Sequence, residues 1–180
     1  MSSNSWLQNV TRVQGDGTAL SNTTTPTSLL PAAEKFVMPA NFFNPGTRFK
    51  FRALGRMSTA AATPGTFTFD IRFGSTVVFN GGASGTLATS ATNLTWVLDL
   101  TLQCRAYGSG TSTTLIGGGT LLSAALSATT PLMLLPVSAP AVGTGFDCTA
   151  SQSVDFFGTW SSANASNSIT LHDAEIILPN

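Results

Sequence analysis

Side chains able to do covalent or metal chemistry are few in this 180-residue chain: one histidine, two cysteines and eight carboxylates. His172 stands beside Asp173 and near Glu175 in an alternating segment, where a strand turns neighbours to opposite faces. Asp173 is therefore poorly placed to orient the imidazole as a triad acid does, and His172 reads as a surface or interface residue. Cys104 and Cys148 lie far apart, without the short ligand spacing of a zinc site. With no secretory signal they read as two free thiols. Asp70, Asp99, Asp147, Asp155 and Asp173 are the candidates for a glycosidase-type carboxylate pair. Most of them fall on outward strand positions or in turns, where solubility and cross-strand pairing are the ordinary roles. Gly15-Asp16-Gly17 and the Gly117-Gly118-Gly119 run lack the strand, helix and lysine context of a phosphate cradle. The expectation is a non-enzymatic protein with no metal or cofactor.

Charge is scarce and unevenly placed. Only 9% of residues are charged, 8 of each sign, against about 25% in ordinary soluble domains, so the usual protection against association is missing. Arg48, Lys50, Arg52 and Arg56, half of the positive set, alternate along one segment with Phe49, Phe51, Ala53 and Gly55. One reading is a surface for an acidic partner, a capsid lattice or an anionic glycan; the other is an outer sheet salt-bridged to Asp70 and Asp99. The basic residues are mostly arginine, which suits interfaces. Balanced charge argues against nucleic-acid binding, which needs excess Lys and Arg, and against a polybasic membrane anchor. The greasiest region, Leu115 to Val142, is broken by glycines and prolines well short of the ~20 apolar residues of a membrane helix.

The elements that must position these residues are strands. Thr47–Met57 and Thr66–Phe73 both alternate, the second with Phe67, Phe69, Ile71 and Phe73 inward. If the two pair antiparallel, parity favours Phe51 opposite Ile71 and Arg52 opposite Asp70. Asn93–Cys104 gives the longest clean alternation, with Leu94, Trp96, Leu98, Leu100 and Leu102 inward. Ser112–Ala125 reads as a strand with a bulge at its glycine triplet. Pro131–Pro136, Ser153–Trp160 and Ser168–Leu178 complete eight to ten strands at hairpin-like intervals, with no convincing helix. The predicted fold is all-β, a single-domain antiparallel β-sandwich of jelly-roll type, with a closed barrel as the alternative. Residues 1–28 read as an extended N-terminal arm and first strand, with Trp6 and Arg12 placed to reach a neighbour, and residues 29–180 as the sandwich.

The segments Ser5-Trp6-Leu7-Gln8, Thr11 to Thr18, Leu29-Leu30-Pro31, Pro45-Gly46-Thr47-Arg48, Pro140 to Asp147 and Ala150-Ser151-Gln152 resemble small virion proteins of tailed bacteriophages. The resemblance implies a structural protein on the surface of a phage particle. In its decoration, or cement, form it would be a homotrimer that clamps major capsid subunits or another virion protein. The alternative is a tail- or fibre-associated receptor- or glycan-binding domain, with Tyr107, Trp160 or Trp96 stacking on sugars. Trp6, Arg12, Arg48, Lys50, Arg52 and Arg56 are the candidate partner interface.

Overall fold

The alternating apolar positions read from the sequence all need a second layer to cover them, and the computed structural model supplies it as a second sheet. Residues 7–127 and 129–179 are described. Twelve strands follow in order: β1 Leu7–Arg12, β2 Leu20–Ser21, β3 Thr27–Ser28, β4 Phe36–Met38, β5 Arg48–Ser58 and β6 Phe67–Phe73, then β7 Thr76–Ala83, β8 Leu94–Ala106, β9 Thr114–Ser123, β10 Leu132–Leu135, β11 Gln152–Trp160 and β12 Ser168–Pro179. The only helix among the described residues is a 3-10 turn at Ala32–Glu34. One sheet has seven strands in the order β1-β12-β5-β8-β9-β10, with β2 also on β12; the other has five, β3-β11-β6-β7, with β4 also on β11. All pairings are antiparallel. The protein is a single-domain all-β sandwich.

The expected hairpin between Thr47–Met57 and Thr66–Phe73 does not form. β5 pairs with β8 and β12, whereas β6 pairs with β7 and β11, so the two Phe rows face each other from opposite sheets. The linker between them is long enough to cross the sandwich, and inward parity is satisfied equally well by facing strands. Phe51 meets Phe156 rather than Ile71, with ring centres 4.8 Å apart. Phe69 stacks on Phe156 at 5.0 Å and lies 5.2 Å from Trp96, so rings from β6, β8 and β11 lock the layers together. Aromatic pairs of this kind add about 1 kcal/mol each beyond the area they bury. Indole nitrogens inside the core need acceptors; Trp96 Nε1 donates to the Arg56 carbonyl and Trp160 Nε1 to the Leu20 carbonyl, both at 3.2 Å.

The glycine triplet is not a bulge. Gly117, Gly118 and Gly119 continue the β8–β9 ladder opposite Leu102, Thr101 and Leu100, and the register shifts instead between Cys104 and Ala106. The reason for glycine is close approach: a Cβ on Gly117 would meet the Phe79 ring at 2.7 Å, and one on Gly119 the Asp99 carbonyl oxygen at 1.9 Å.

The described part of the expected arm is woven into the sandwich. β1 and β2 pair with β12, β3 pairs with β11, and Val13 and Leu20 belong to the core. Within residues 7–28, Leu7–Arg12, Leu20–Ser21 and Thr27–Ser28 are paired strand, joined by loop segments. Trp6 lies outside the described residues.

Candidate functional site

Register gathers the outward side chains of the seven-stranded sheet into cross-strand rows, since antiparallel partners on one face stand about 5 Å apart. One row runs Arg12, Glu175, Arg52, Asp99, Thr120, Leu134 across β1, β12, β5, β8, β9 and β10. Its charges alternate in sign. Arg52 Nε donates to Asp99 Oδ2 at 2.9 Å, Arg52 Nη1 lies 3.9 Å from Glu175 Oε1, and Arg12 Nη2 lies 3.6 Å from Glu175 Oε2. The hydrogen bond to Asp99, then the charges of Asp99 and Glu175, raise the Arg52 pKa. The next row, two residues along each strand, runs Asp173, Leu54, Val97, Leu122, Leu132. From Leu54 to Leu132 it is an apolar stripe whose members are 40 to 56% exposed.

Between the two rows lies a cleft of about 210 Å³ bounded by Arg52, Leu54, Val97, Asp99, Asp173 and Glu175. Its floor is aliphatic and its rim carries a guanidinium and three carboxylates. Lys50 and Arg48 extend the basic side of the face beyond the ion-paired row, and Arg56 stands beyond the stripe. Among the described residues, none of these three forms an ion pair. The face holds Arg12, Arg48, Lys50, Arg52 and Arg56 against Asp99, Asp173 and Glu175, so it is net positive in a chain of zero formal charge. The chemistry available here is hydrogen bonding and ion pairing at the rim with apolar contact at the floor.

The structure brings four of the sequence-derived candidates, Arg48, Lys50, Arg52 and Arg56, onto one strand face and adds Arg12 through the β1–β12 pairing. Arg52 finds Asp99, not Asp70. Asp70 is in the other sheet, where Arg72 holds it through two hydrogen bonds of 2.6 and 3.2 Å. Asp155, on the same sheet, accepts from Ser28 at 2.6 Å and pairs with Lys35. These two carboxylates are buried and fully occupied. Leu54 and Val97 already stood at outward positions of clean alternations; their exposure in so polar a face was the legible signal of the stripe. Leu122 and Leu132 join it only through the β8–β9–β10 register.

His172 occupies a register shift in β12 and its Nδ1 lies 2.7 Å from Asp16 Oδ1, a surface contact between the chain's start and its last strand. Cys104 and Cys148 are buried and free; burial pushes the Cys104 thiol up, which disfavours the thiolate and so a nucleophilic role. Trp96 and Trp160 are closed inside the core, so neither can stack on a sugar. Tyr107 is exposed and donates to Asn41 Oδ1 at 2.9 Å. Among the described residues no three His, Cys, Asp or Glu side chains converge as a metal-binding group.

No protein-family model matches the chain, and no curated protein matches it. Among solved structures it is similar to the CBM2 module of the evolved Dit of Lactobacillus casei BL23 phage J-1. The two share 12% identity over 99% of this chain and 98% of that one, with a TM-score of 0.42.

Proposed function

We propose that the chain is a non-enzymatic module of a bacteriophage particle, a tail- or fibre-associated β-domain that recognises a receptor or glycan through the outer face of its seven-stranded sheet. The observation that carries this reading is the cleft between the ion-paired row and the apolar stripe. Arg52 offers donors, Asp99, Asp173 and Glu175 offer acceptors, and Leu54 and Val97 offer an apolar floor. A sugar presents the complementary pattern, hydroxyls at its edge and C–H groups on its face. Few precisely placed polar groups over apolar walls are what small-ligand sites use. Recognition rests on this rim and floor; the buried tryptophans take no part in it.

A decoration role on the phage head is the second reading, favoured by Arg48, Lys50 and Arg56, which offer unneutralised positive charge to an acidic shell. Weak contacts of that kind stabilise a shell through many copies. In that role the chain would stand as a trimer on major capsid subunits.

Immunogold labelling of purified particles, with copy number by quantitative mass spectrometry, separates the two. A handful of copies at the tail supports recognition, hundreds on the head support decoration, and absence from particles defeats both. A glycan array with the wild type and Arg52→Ala then tests the cleft. Binding reduced at least tenfold in the variant is the expected result, and an array without hits, or hits indifferent to Arg52, removes the glycan reading.

A further inference from the structure

From Tyr107 to Phe146 the chain contains no Asp, Glu, Lys or Arg. This charge-free stretch supplies β9, β10 and the segment that follows β10, at one edge of the seven-stranded sheet. β10 is the last strand of the seven-stranded sheet. Leu122, Leu132 and Leu134 stand exposed on its outer face, and the chain then turns past the edge to expose Val137 and Val142. That later segment closes the gap to the five-stranded sheet: Val137 N donates to the Gly81 carbonyl at 2.9 Å, and Val142 forms a bridge with Ile116. The five side chains are 47 to 69% exposed. Leu122 and Leu132 stand opposite one another and Leu134 is two residues along the same face of β10, so the three leucines form one exposed apolar patch of the kind that marks an interaction site.

We propose that this β9–β10 end is a self-association surface, and that its occupant is a second copy of the chain. Charge decides the occupant. A partner selected by acidic or basic groups finds no counter-charge anywhere in this stretch, whereas two identical neutral surfaces meet without like-charge repulsion. The exposed Pro131, Ser138 and Pro140 flank it and add no charge. An apolar last strand is also the ordinary template for pairing with another chain. The cleft by Arg52 lies on β5 and β8, and its Val97 stands directly opposite Leu122 of the patch. The inference stands independently of where on a particle the chain resides.

Sedimentation velocity on the full chain, from about 1 to 100 μM in low and high salt, tests it. The expected result is a dimer or closed higher oligomer that persists in high salt, because no ion pair holds it. Leu132→Lys combined with Leu134→Glu, both at exposed positions, should raise the dissociation constant at least tenfold while the far-UV spectrum and cooperative unfolding stay as in the wild type. Arg48→Ala with Arg56→Ala should leave assembly unchanged. A monomer across the whole range, assembly that survives the leucine substitutions, or assembly abolished by salt or by the arginine substitutions overturns the proposal.

Discussion

Asp70 is almost wholly buried on the outward side of β6, where Arg72 grips its carboxyl group with two hydrogen bonds. The guanidinium itself lies 3.9 Å from the Phe157 ring centre, a cation–π seat that fixes it in place. Removing one partner of such a pair leaves a buried charge without compensation. Arg72→Met should therefore cost about 3 kcal/mol in urea unfolding, and adding Asp70→Asn to it should restore part of the loss. Asp147 shows the opposite situation, a carboxylate in solvent held by its own turn. Thr149 donates to it through both Oγ1 and N, at 2.6 and 2.8 Å, and the hydroxyl's hydrogen bond first, then the backbone hydrogen bonds of Gly110 and Thr149, lower its pKa. A depressed folded pKa means that the contribution is complete above the ordinary carboxylate value and disappears as pH falls through the lower folded value. Thermal melts between pH 6 and 2 should thus show Asp147→Asn and wild type converging in the acid range, with the variant less stable only at higher pH.

At the scale of elements, alternation was readable and partnership was not. Phe49, Phe51, Phe67, Phe69 and Phe73 all face inward as their period of two requires. Yet pairing β5 with β6 met the same parity as the true arrangement, in which they face each other across the core. Arg52 shows the consequence, since a carboxylate opposite it was expected and the fold supplied Asp99 from β8 in place of Asp70. The glycine triplet misled for a related reason: glycine marks a bulge when read locally, but here it clears room for the Asp99 carbonyl and the Phe79 ring, both distant in sequence. Gly119→Ala forces the β8 backbone aside and should cost about 2 kcal/mol, in the range of core overpacking. A circular-dichroism melt of that variant should also lose cooperativity if β8 and β9 separate. An unchanged melting midpoint would mean that the ladder shifts freely at this point.

For the molecule as a whole, stability rests on aromatic contact between the sheets. Phe156 touches Phe51, Phe69 and Trp96, bridging β11 to β5, β6 and β8. Phe156→Ala should destabilise by about 4 kcal/mol through lost burial and the cavity it leaves, measured by denaturant midpoint at unchanged slope. The chain alone determined that the protein is all-β, which side chains face inward, that charge is sparse, and that four bases share one strand face. These follow from period-two patterning and composition, which act over neighbouring residues. Tertiary structure decided which strands lie side by side, and with that everything built on rows: the Arg12-Glu175-Arg52-Asp99 chain, the stripe from Leu54 to Leu132, the cleft between them, and the uncharged end at β10. It also paired β1, β2 and β3, in the segment the sequence reads as an arm and first strand, with β12 and β11. Register across a sheet is fixed by the simultaneous fit of many distant side chains in one core, and no local pattern encodes that sum.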